Sequence, residues 1–195
     1  MNQQLHELIA RYVQKGILID TNILLLYFIG SFDPNLISNF KRTIQFTVED
    51  YKILLLLLRP FEKLITTPNI LTEVSNLSGQ LGEPARTSYF QVFAEKIALL
   101  EEHYIHSHEA AAQEDFLRFG LTDTNTFNLS KDQYLVLTDD FRLSQCLQKK
   151  DIDAINFNHI RVLGSIIFGY LDGHKALTES ASRTIEDAFD AQEHL

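Results

Sequence analysis

The chain has 195 residues, of which 45% are hydrophobic and 22% are charged, and its formal net charge at pH 7 is −9. This length fits one domain with an ample core, and the acidic excess argues against a protein that binds long duplex nucleic acid through a basic face. A single cysteine, Cys146, excludes a disulfide framework, and the lack of a signal-peptide pattern or of an apolar run of about 20 residues predicts a cytoplasmic protein without membrane contact.

In the first half of the chain, the spacing of apolar residues predicts strands that alternate with helices. Strands are expected at 17–20 and 63–66. Helices are expected near 4–14, from about 22 to 29 with Gly30 as the end, over 48–58 after a cap at Thr47, from Pro68 to about Leu77 after a cap at Thr67, and from 83–84 to about 102.

The second half continues this alternation to about residue 160. Strands are expected at 104–105, 134–137 and 154–157. Helices are expected over 107–119 with Gly120 as the end, over a short stretch that begins at 121–123, and from 138–140 to about 150. The alternation predicts an α/β fold, a mostly parallel central sheet flanked by helices, in a domain over 1–160.

Residues 161–195 form a predicted helical extension. A helical stripe of apolar residues runs through Leu163, Ile166, Ile167, Tyr170 and Leu171. A final helix is expected near 179–191. Two interpretations stay open: the extension packs on the domain, or it provides the surface of a homodimer.

Asp20 lies inside an otherwise apolar run, at the end of the first predicted strand. An ionised carboxylate is costly there unless a cation or hydrogen-bond donors hold it. One interpretation places Asp20 at the carboxyl edge of a parallel sheet, where ligands bind. The other is a helix cap, because Asp often precedes an apolar helix.

Further acids follow at comparable positions along the chain. Glu73 shares a face with apolar residues on the helix that begins at Pro68, Asp123 begins a helix after Gly120, and Asp139 and Asp140 follow a strand. Each has a plain alternative as a helix cap or a solvated side chain. All of them together with Asp20 favour a shared site, because strand-to-helix turns converge on one edge of a parallel sheet.

Clustered carboxylates raise one another's pKa unless a divalent cation neutralises them. Oxygen ligands without histidine or thiolate favour Mg²⁺ or Mn²⁺ over zinc. Such a site can activate water and stabilise charge at a phosphodiester. The sequence therefore predicts a magnesium or manganese site at the sheet edge.

Four segments of the chain resemble the PIN domain family, in the family's own order: Ile17–Leu25, Thr67–Val74, Gly120–Asp123 and Leu135–Phe141. The resemblance covers roughly residues 15–160. It implies a Rossmann-like three-layer sandwich whose acids bind Mg²⁺ or Mn²⁺ for the cleavage of RNA, usually single-stranded or structured. The additional length around 31–60 and the C-terminal helices depart from the shorter bacterial toxin-type members.

The resemblance also implies roles for the acids. Asp20, Glu73 and Asp123 match the family's first three acids. The fourth acid usually follows a threonine with one residue between, which selects Asp140, with Asp139 as a close second.

Neighbouring polar residues receive supporting roles from the same resemblance. Thr21, Asn22 and Thr138 would support the metal and the scissile phosphate. Toxin-type members of the family have an antitoxin partner, so an antitoxin-type protein partner is a further expectation.

Other sites are less well matched by the sequence. A haloacid-dehalogenase-like phosphatase needs a second Asp where Asn22 stands. A zinc site at His103, His106 and His108 lacks a thiolate or a second ligand pair nearby, which favours surface residues. Cys146 is expected in the core.

A rival from another class is a catalytically silent PIN-like module that binds RNA or protein and keeps its acids for structure. The presence of all four acids argues against it, because a silent member could lose one without penalty.

Overall fold

The computed structural model describes residues 3–162 and residue 164. Its helices are α1 (Gln3–Tyr12), α2 (Thr21–Phe32), α3 (Val48–Leu58), α4 (Pro68–Ser78), α5 (Ala85–Ile97), α6 (Ser107–Ala111), α7 (Phe116–Ser130) and α8 (Phe141–Lys149). Its strands are β1 (Ile17–Ile19), β2 (Leu64–Thr66), β3 (Glu101–Glu102), β4 (Leu135–Thr138) and β5 (Ala154–Asn156), and a 3₁₀ turn covers Pro34–Leu36.

Residues 157–162 are also helical and are called the 157–162 helix below. The predicted apolar stripe at Leu163 and 166–171 and the predicted helix at 179–191 lie outside the described residues. Among the residues that are described, no helix combines the length and the apolar character that a membrane crossing requires.

The five strands form one sheet in the order β3-β2-β1-β4-β5, and every neighbouring pair is parallel. β1 lies at the centre, with Leu18 opposite Ile65 of β2 and Ile19 opposite Leu137 of β4. The predicted α/β class, with a parallel sheet flanked by helices, is therefore confirmed. Because all strands run the same way, their carboxyl ends meet at one edge of the sheet.

The core surrounds β1 and α2. All three residues of β1 are fully buried, and α2 is apolar and buried from Ile23 to Gly30. The prediction that Gly30 ends this helix is wrong, since α2 continues to Phe32. Gly30 instead allows a close approach to α3, because a Cβ at this position would lie 2.4 Å from the ring of Tyr51.

The edge strand β3 differs from the prediction. The helix expected to reach about residue 102 ends at Ile97, and the strand expected at 104–105 lies at Glu101–Glu102. β3 pairs with β2 alone, so its other side faces away from the sheet and tolerates charge. The apolar pattern that identifies buried strands is therefore absent from β3.

Helix α7 also differs in part. The single helix expected over 107–119 is divided into α6 and the first turn of α7. Gly120 has a φ of 73° and breaks the helical geometry there, which agrees with its predicted role as a helix end. Residues after Gly120 continue the helix and carry Asp123 toward the sheet.

Candidate acidic site at the carboxyl end of the sheet

The carboxyl ends of β1 and β4 bring the first acids together. Asp20 directly follows β1, and the Asp139–Asp140 pair directly follows β4. The two strands are neighbours, and the Asp20 backbone N–H donates to the Leu137 carbonyl at 2.9 Å. The hydroxyl of Thr138 donates to Oδ2 of Asp20 at 2.5 Å, so β4 contacts the β1 acid directly.

Asp20 is only 7% exposed, and both of its carboxylate oxygens accept hydrogen bonds from the protein. Its Oδ1 accepts a hydrogen bond from the backbone N–H of Thr21 at 2.7 Å. Asp20 therefore caps α2, as one of the two interpretations of the sequence predicts. Burial raises the pKa of Asp20 to about 6, although the hydrogen bonds from Thr138 and Thr21 oppose this increase. The negative charges of Asp139 and Asp140 make smaller contributions to the same increase in the pKa of Asp20.

Glu73 is held by two hydroxyl groups. The Thr21 hydroxyl donates to Oε2 at 2.7 Å, and the Thr122 hydroxyl donates to Oε1 at 2.6 Å. Glu73 projects from α4, so this carboxylate joins the first turn of α2 to the part of α7 after Gly120. Sequence reasoning did not select Thr122, although it is the residue directly before Asp123 in the segment compared with the PIN family.

Asp123 lies within the electrostatic field of the other acids. Burial, followed by the charges of Asp20, Asp140 and Glu73, raises the pKa of Asp123 to about 7. No side chain or backbone group in residues 3–162 or 164 donates a hydrogen bond to its carboxylate. The four acids predicted from sequence therefore interact electrostatically, although they come from four separate elements.

Asp139 and Asp140 have different hydrogen-bond partners. Oδ1 of Asp139 accepts the Asn22 amide at 3.1 Å, and burial is the main reason that its pKa is raised. Oδ1 of Asp140 caps α8 by accepting the N–H groups of Arg142 at 2.6 Å and Leu143 at 3.0 Å. Both acids lie beside Asp20, so the choice between them as the fourth acid stays open.

The site has negative charge without a paired cation. In the part of the chain that is described, every ion pair involves other carboxylates, such as those of Asp50, Glu101 and Asp153. The nearest compensation is Arg161, whose charge lowers the pKa of Asp139. An additional cation would therefore be stabilised at this edge of the sheet.

The ligand set is not assembled in advance, however. Among the described residues, no three His, Cys, Asp or Glu side chains converge closely enough to hold a metal ion as they stand. Both oxygens of Asp20 and both of Glu73 already accept protein hydrogen bonds. The atoms that could bind a metal ion here are all carboxylate oxygens, which are the type of ligand that Mg²⁺ and Mn²⁺ prefer. The side chains would have to adjust their positions to coordinate such an ion.

The remaining candidate residues lie apart from this chemistry. The ring of His103 contacts Oε1 of Glu101 at 2.9 Å and the Tyr134 hydroxyl at 3.2 Å, whereas His106 and His108 are exposed. Cys146 is partly buried against the core. These positions agree with the expectation of surface histidines and of a cysteine with a packing role.

Comparison with known proteins gives no further assignment. No protein-family model, no curated protein and no solved structure matches the chain. The functional argument therefore depends on the geometry and charge of the site.

Proposed function

We propose that this chain is a divalent-metal-dependent endoribonuclease with a PIN-like fold, which hydrolyses phosphodiester bonds in single-stranded or structured RNA. The observation that carries this proposal is the uncompensated charge at the sheet edge. Asp20 is buried and forms no ion pair with any cation in residues 3–162 or 164, and the pKa of Asp123 is raised to about 7 by burial and by three neighbouring acids. A divalent cation would remove this unfavourable repulsion.

The residues that would hold Mg²⁺ or Mn²⁺ are Asp20, Glu73, Asp123 and Asp140, with Asp139 as the alternative to Asp140. When bound, such a cation supplies a Lewis acid that lowers the pKa of water and stabilises charge on a phosphate. Hydrogen bonds within the chain hold all of these carboxylates except that of Asp123, which accepts none from residues 3–162 or 164.

Three hydroxyl groups, one backbone N–H and one side-chain amide donate to Asp20, Glu73 and Asp139. Thr138 and the Thr21 backbone hold the two oxygens of Asp20, while the hydroxyls of Thr21 and Thr122 hold Glu73. The Asn22 amide holds Asp139. These hydrogen bonds hold the carboxylates near one another before a cation binds, and side chains would still have to adjust for their oxygens to coordinate it.

One observation favours the rival, a silent module that binds RNA or protein. The oxygens of Asp20 and Glu73 are all satisfied by protein donors, and no three-ligand group is preformed among the residues described. In that case the acids would serve the local structure, and no metal would be needed.

The Asp20→Asn variant distinguishes a metal-dependent nuclease from a silent binding module, and the Asp33→Asn variant is the matched control. Asp20 and Asp33 stand at opposite ends of α2, and the Asp33 side chain likewise accepts a backbone N–H, that of Asn35, at 2.9 Å. The measurements are the Mn²⁺-dependent shift in melting temperature and cleavage of a mixed RNA pool, with single-stranded DNA of matching sequences alongside.

We expect Asp20→Asn to lower Mn²⁺-dependent RNA cleavage by roughly 1,000-fold, which corresponds to about 4 kcal/mol of activation free energy. The metal-free variant should melt at the same or a higher temperature, because one repelling charge is removed. Asp33→Asn should cleave like the wild type. A wild-type protein with neither Mn²⁺-dependent cleavage nor a Mn²⁺-linked thermal shift would favour the silent module, and a preference for DNA would change the substrate class.

A further inference from the structure

The 157–162 helix contacts the acidic site through one side chain. The amide Nδ2 of Asn158 donates a hydrogen bond of 2.7 Å to the backbone carbonyl of Asp139. Asn158 is itself fixed at the start of the helix, because its backbone N–H donates to Oδ1 of Asn156 at 3.0 Å. The peptide between the two candidate fourth acids is therefore tied to an element that contributes no acid to the site.

Arg161 fixes this helix to α3. Its Nε and Nη2 contact the two carboxylate oxygens of Asp50 at 3.1 and 2.7 Å, and Nη2 also donates to the Gln45 carbonyl at 2.6 Å. A longer contact of 3.5 Å joins Nη1 to Oδ1 of Asn158. The guanidinium lies 5.2 Å from the centre of the Phe46 ring.

Backbone proximity supports the same attachment. A Cβ placed on Gly164 would overlap Cδ1 of Ile53, so the chain passes very close to α3 about one turn beyond Arg161. Asp50 itself is held in a capping box with Thr47 at the start of α3. The helix and α3 therefore contact each other at several points.

The segment that receives the Asn158 hydrogen bond contains both Asp139 and Asp140. The Asp140 N–H donates to the Thr138 hydroxyl at 3.0 Å, and this hydroxyl donates in turn to Asp20. Displacement of the Asp139 carbonyl would therefore move the acids that follow β4 relative to the acid that follows β1.

We propose that Asn158 and Arg161 are positioning residues, which hold the segment from Asp139 to Asp140 against Asp20 so that a divalent cation binds tightly. This inference rests on the proposed function. It adds that α3 acts on the site through Arg161 and Asn158.

The Asn158→Ala variant tests this role, with Asn39→Ala as the control. The Asn39 amide also donates to a backbone carbonyl, that of Asn35, at 2.8 Å, but it lies in an exposed loop without contact to the acids. The first measurement is amide hydrogen exchange of the metal-free proteins. The second is the Mn²⁺ concentration that gives half of the maximal thermal shift, together with the cleavage rate at saturating Mn²⁺.

In Asn158→Ala we expect the amides of Arg142 and Leu143, which Asp140 caps, to exchange about tenfold faster, with unchanged exchange in β1. The half-saturating Mn²⁺ concentration should rise about tenfold, as for residues that orient metal ligands, and the rate at saturating Mn²⁺ should stay within about threefold of wild type. Asn158→Asp, which keeps the size of the side chain but lacks the donor, should change both quantities in the same direction. Asn39→Ala should change neither.

Unchanged local exchange in both Asn158 variants would overturn the inference, and so would faster exchange spread uniformly over the sheet, which would report a loss of global stability. If the wild type shows no Mn²⁺-linked shift, the proposed function fails, while the exchange data still decide whether Asn158 positions the segment.

Discussion

Two aspartates in this structure are almost completely buried, and the protein treats their charges differently. Asp50, 5% exposed at the start of α3, accepts the Thr47 N–H and forms a two-pronged ion pair with Arg161. Asp20, 7% exposed at the end of β1, accepts a backbone N–H and a hydroxyl and forms no ion pair within residues 3–162 or 164. The two carboxylates are therefore buried to a similar extent, and they differ in that Asp50 is paired with an arginine.

Both carboxylates cap a helix, and the difference is that only the charge of Asp50 is balanced by a cation among the described residues. The charge of Asp50 is balanced inside the chain, because arginine matches a carboxylate with two parallel hydrogen bonds. The charge of Asp20 is opposed by no such partner in residues 3–162 or 164, and further acids lie beside it. A protein that keeps a carboxylate at a pKa of about 6 in its interior gains stability when a cation arrives from solution.

The largest expected effect on stability comes from removing the partner of the balanced acid. Arg161→Met leaves Asp50 buried and unpaired, which should lower the free energy of unfolding by about 3 kcal/mol. Urea denaturation of the metal-free protein measures this loss. Because Asp20 pairs with no cation among the described residues, Asp20→Asn should leave stability unchanged or raise it, whereas Arg161→Met should lower it.

The double variant Arg161→Met with Asp50→Asn provides the control for this comparison. Removing the charge that the first substitution leaves unpaired should recover part of the lost stability, since the penalty comes from the buried carboxylate. A double variant that is less stable than Arg161→Met alone would contradict this explanation and would assign the loss to the contact of the guanidinium with the Phe46 ring.

The sequence predicts the acid side of this comparison better than the paired side. The apolar run around Asp20 and the strand before Asp139 identify buried parallel strands, and parallel topology then places their ends together. This reasoning works because each signal is local. Thr67 and Thr47 were likewise predicted as helix caps from nearby residues, and both are confirmed.

The parts that sequence reasoning missed depend on distant partners. Asp50 and Arg161 are separated by 111 positions, and a capping box explains Asp50 without any arginine. The hydroxyl of Thr122 reaches Glu73 across 49 positions.

The position of strand β3 was predicted wrongly for another reason. It is a two-residue edge strand of glutamates, so neither apolar alternation nor length identifies it.

A smaller effect, with the opposite sign from Arg161→Met, is expected for Asp123→Asn at high pH. The pKa of Asp123 is raised from 3.8 to about 7 in the folded protein. Below pH 3.8 the carboxyl is protonated in both states, so its burial carries no charge penalty. As pH rises toward 7 the unfolded chain ionises first, so stability falls, and the full penalty is present above pH 7.

Asp123→Asn should therefore stabilise the metal-free protein by roughly 2 kcal/mol at pH 8, about half of what the full pKa shift implies, because Asp123 is only half-buried and water screens part of the repulsion. The gain should be much less at pH 4, as measured by urea denaturation at each pH. Mn²⁺ at pH 8 should stabilise the wild type more than the variant, because the wild type retains the repelling charge. An equal gain at both pH values would show that Asp123 does not titrate in this range and would weaken the contrast with Asp50.

The smallest effect is expected at the opposite end of the sheet, where Asp153 precedes β5. Its Oδ2 contacts Arg11 at 3.2 Å and accepts the Tyr12 hydroxyl at 2.9 Å, beside a cavity of about 650 Å³. The Arg11 and Asp153 side chains are 63% and 34% exposed, so water screens their attraction. Arg11→Met should lower the unfolding free energy by less than about 1 kcal/mol, and by less still at high salt.

After this substitution Asp153 keeps its contact with water and with Tyr12. Asp50 without Arg161 would stay buried and would have no other cation among the described residues. A loss as large as that of Arg161→Met would show that burial does not set the value of an ion pair in this protein, and the comparison between Asp50 and Asp20 would lose its physical basis.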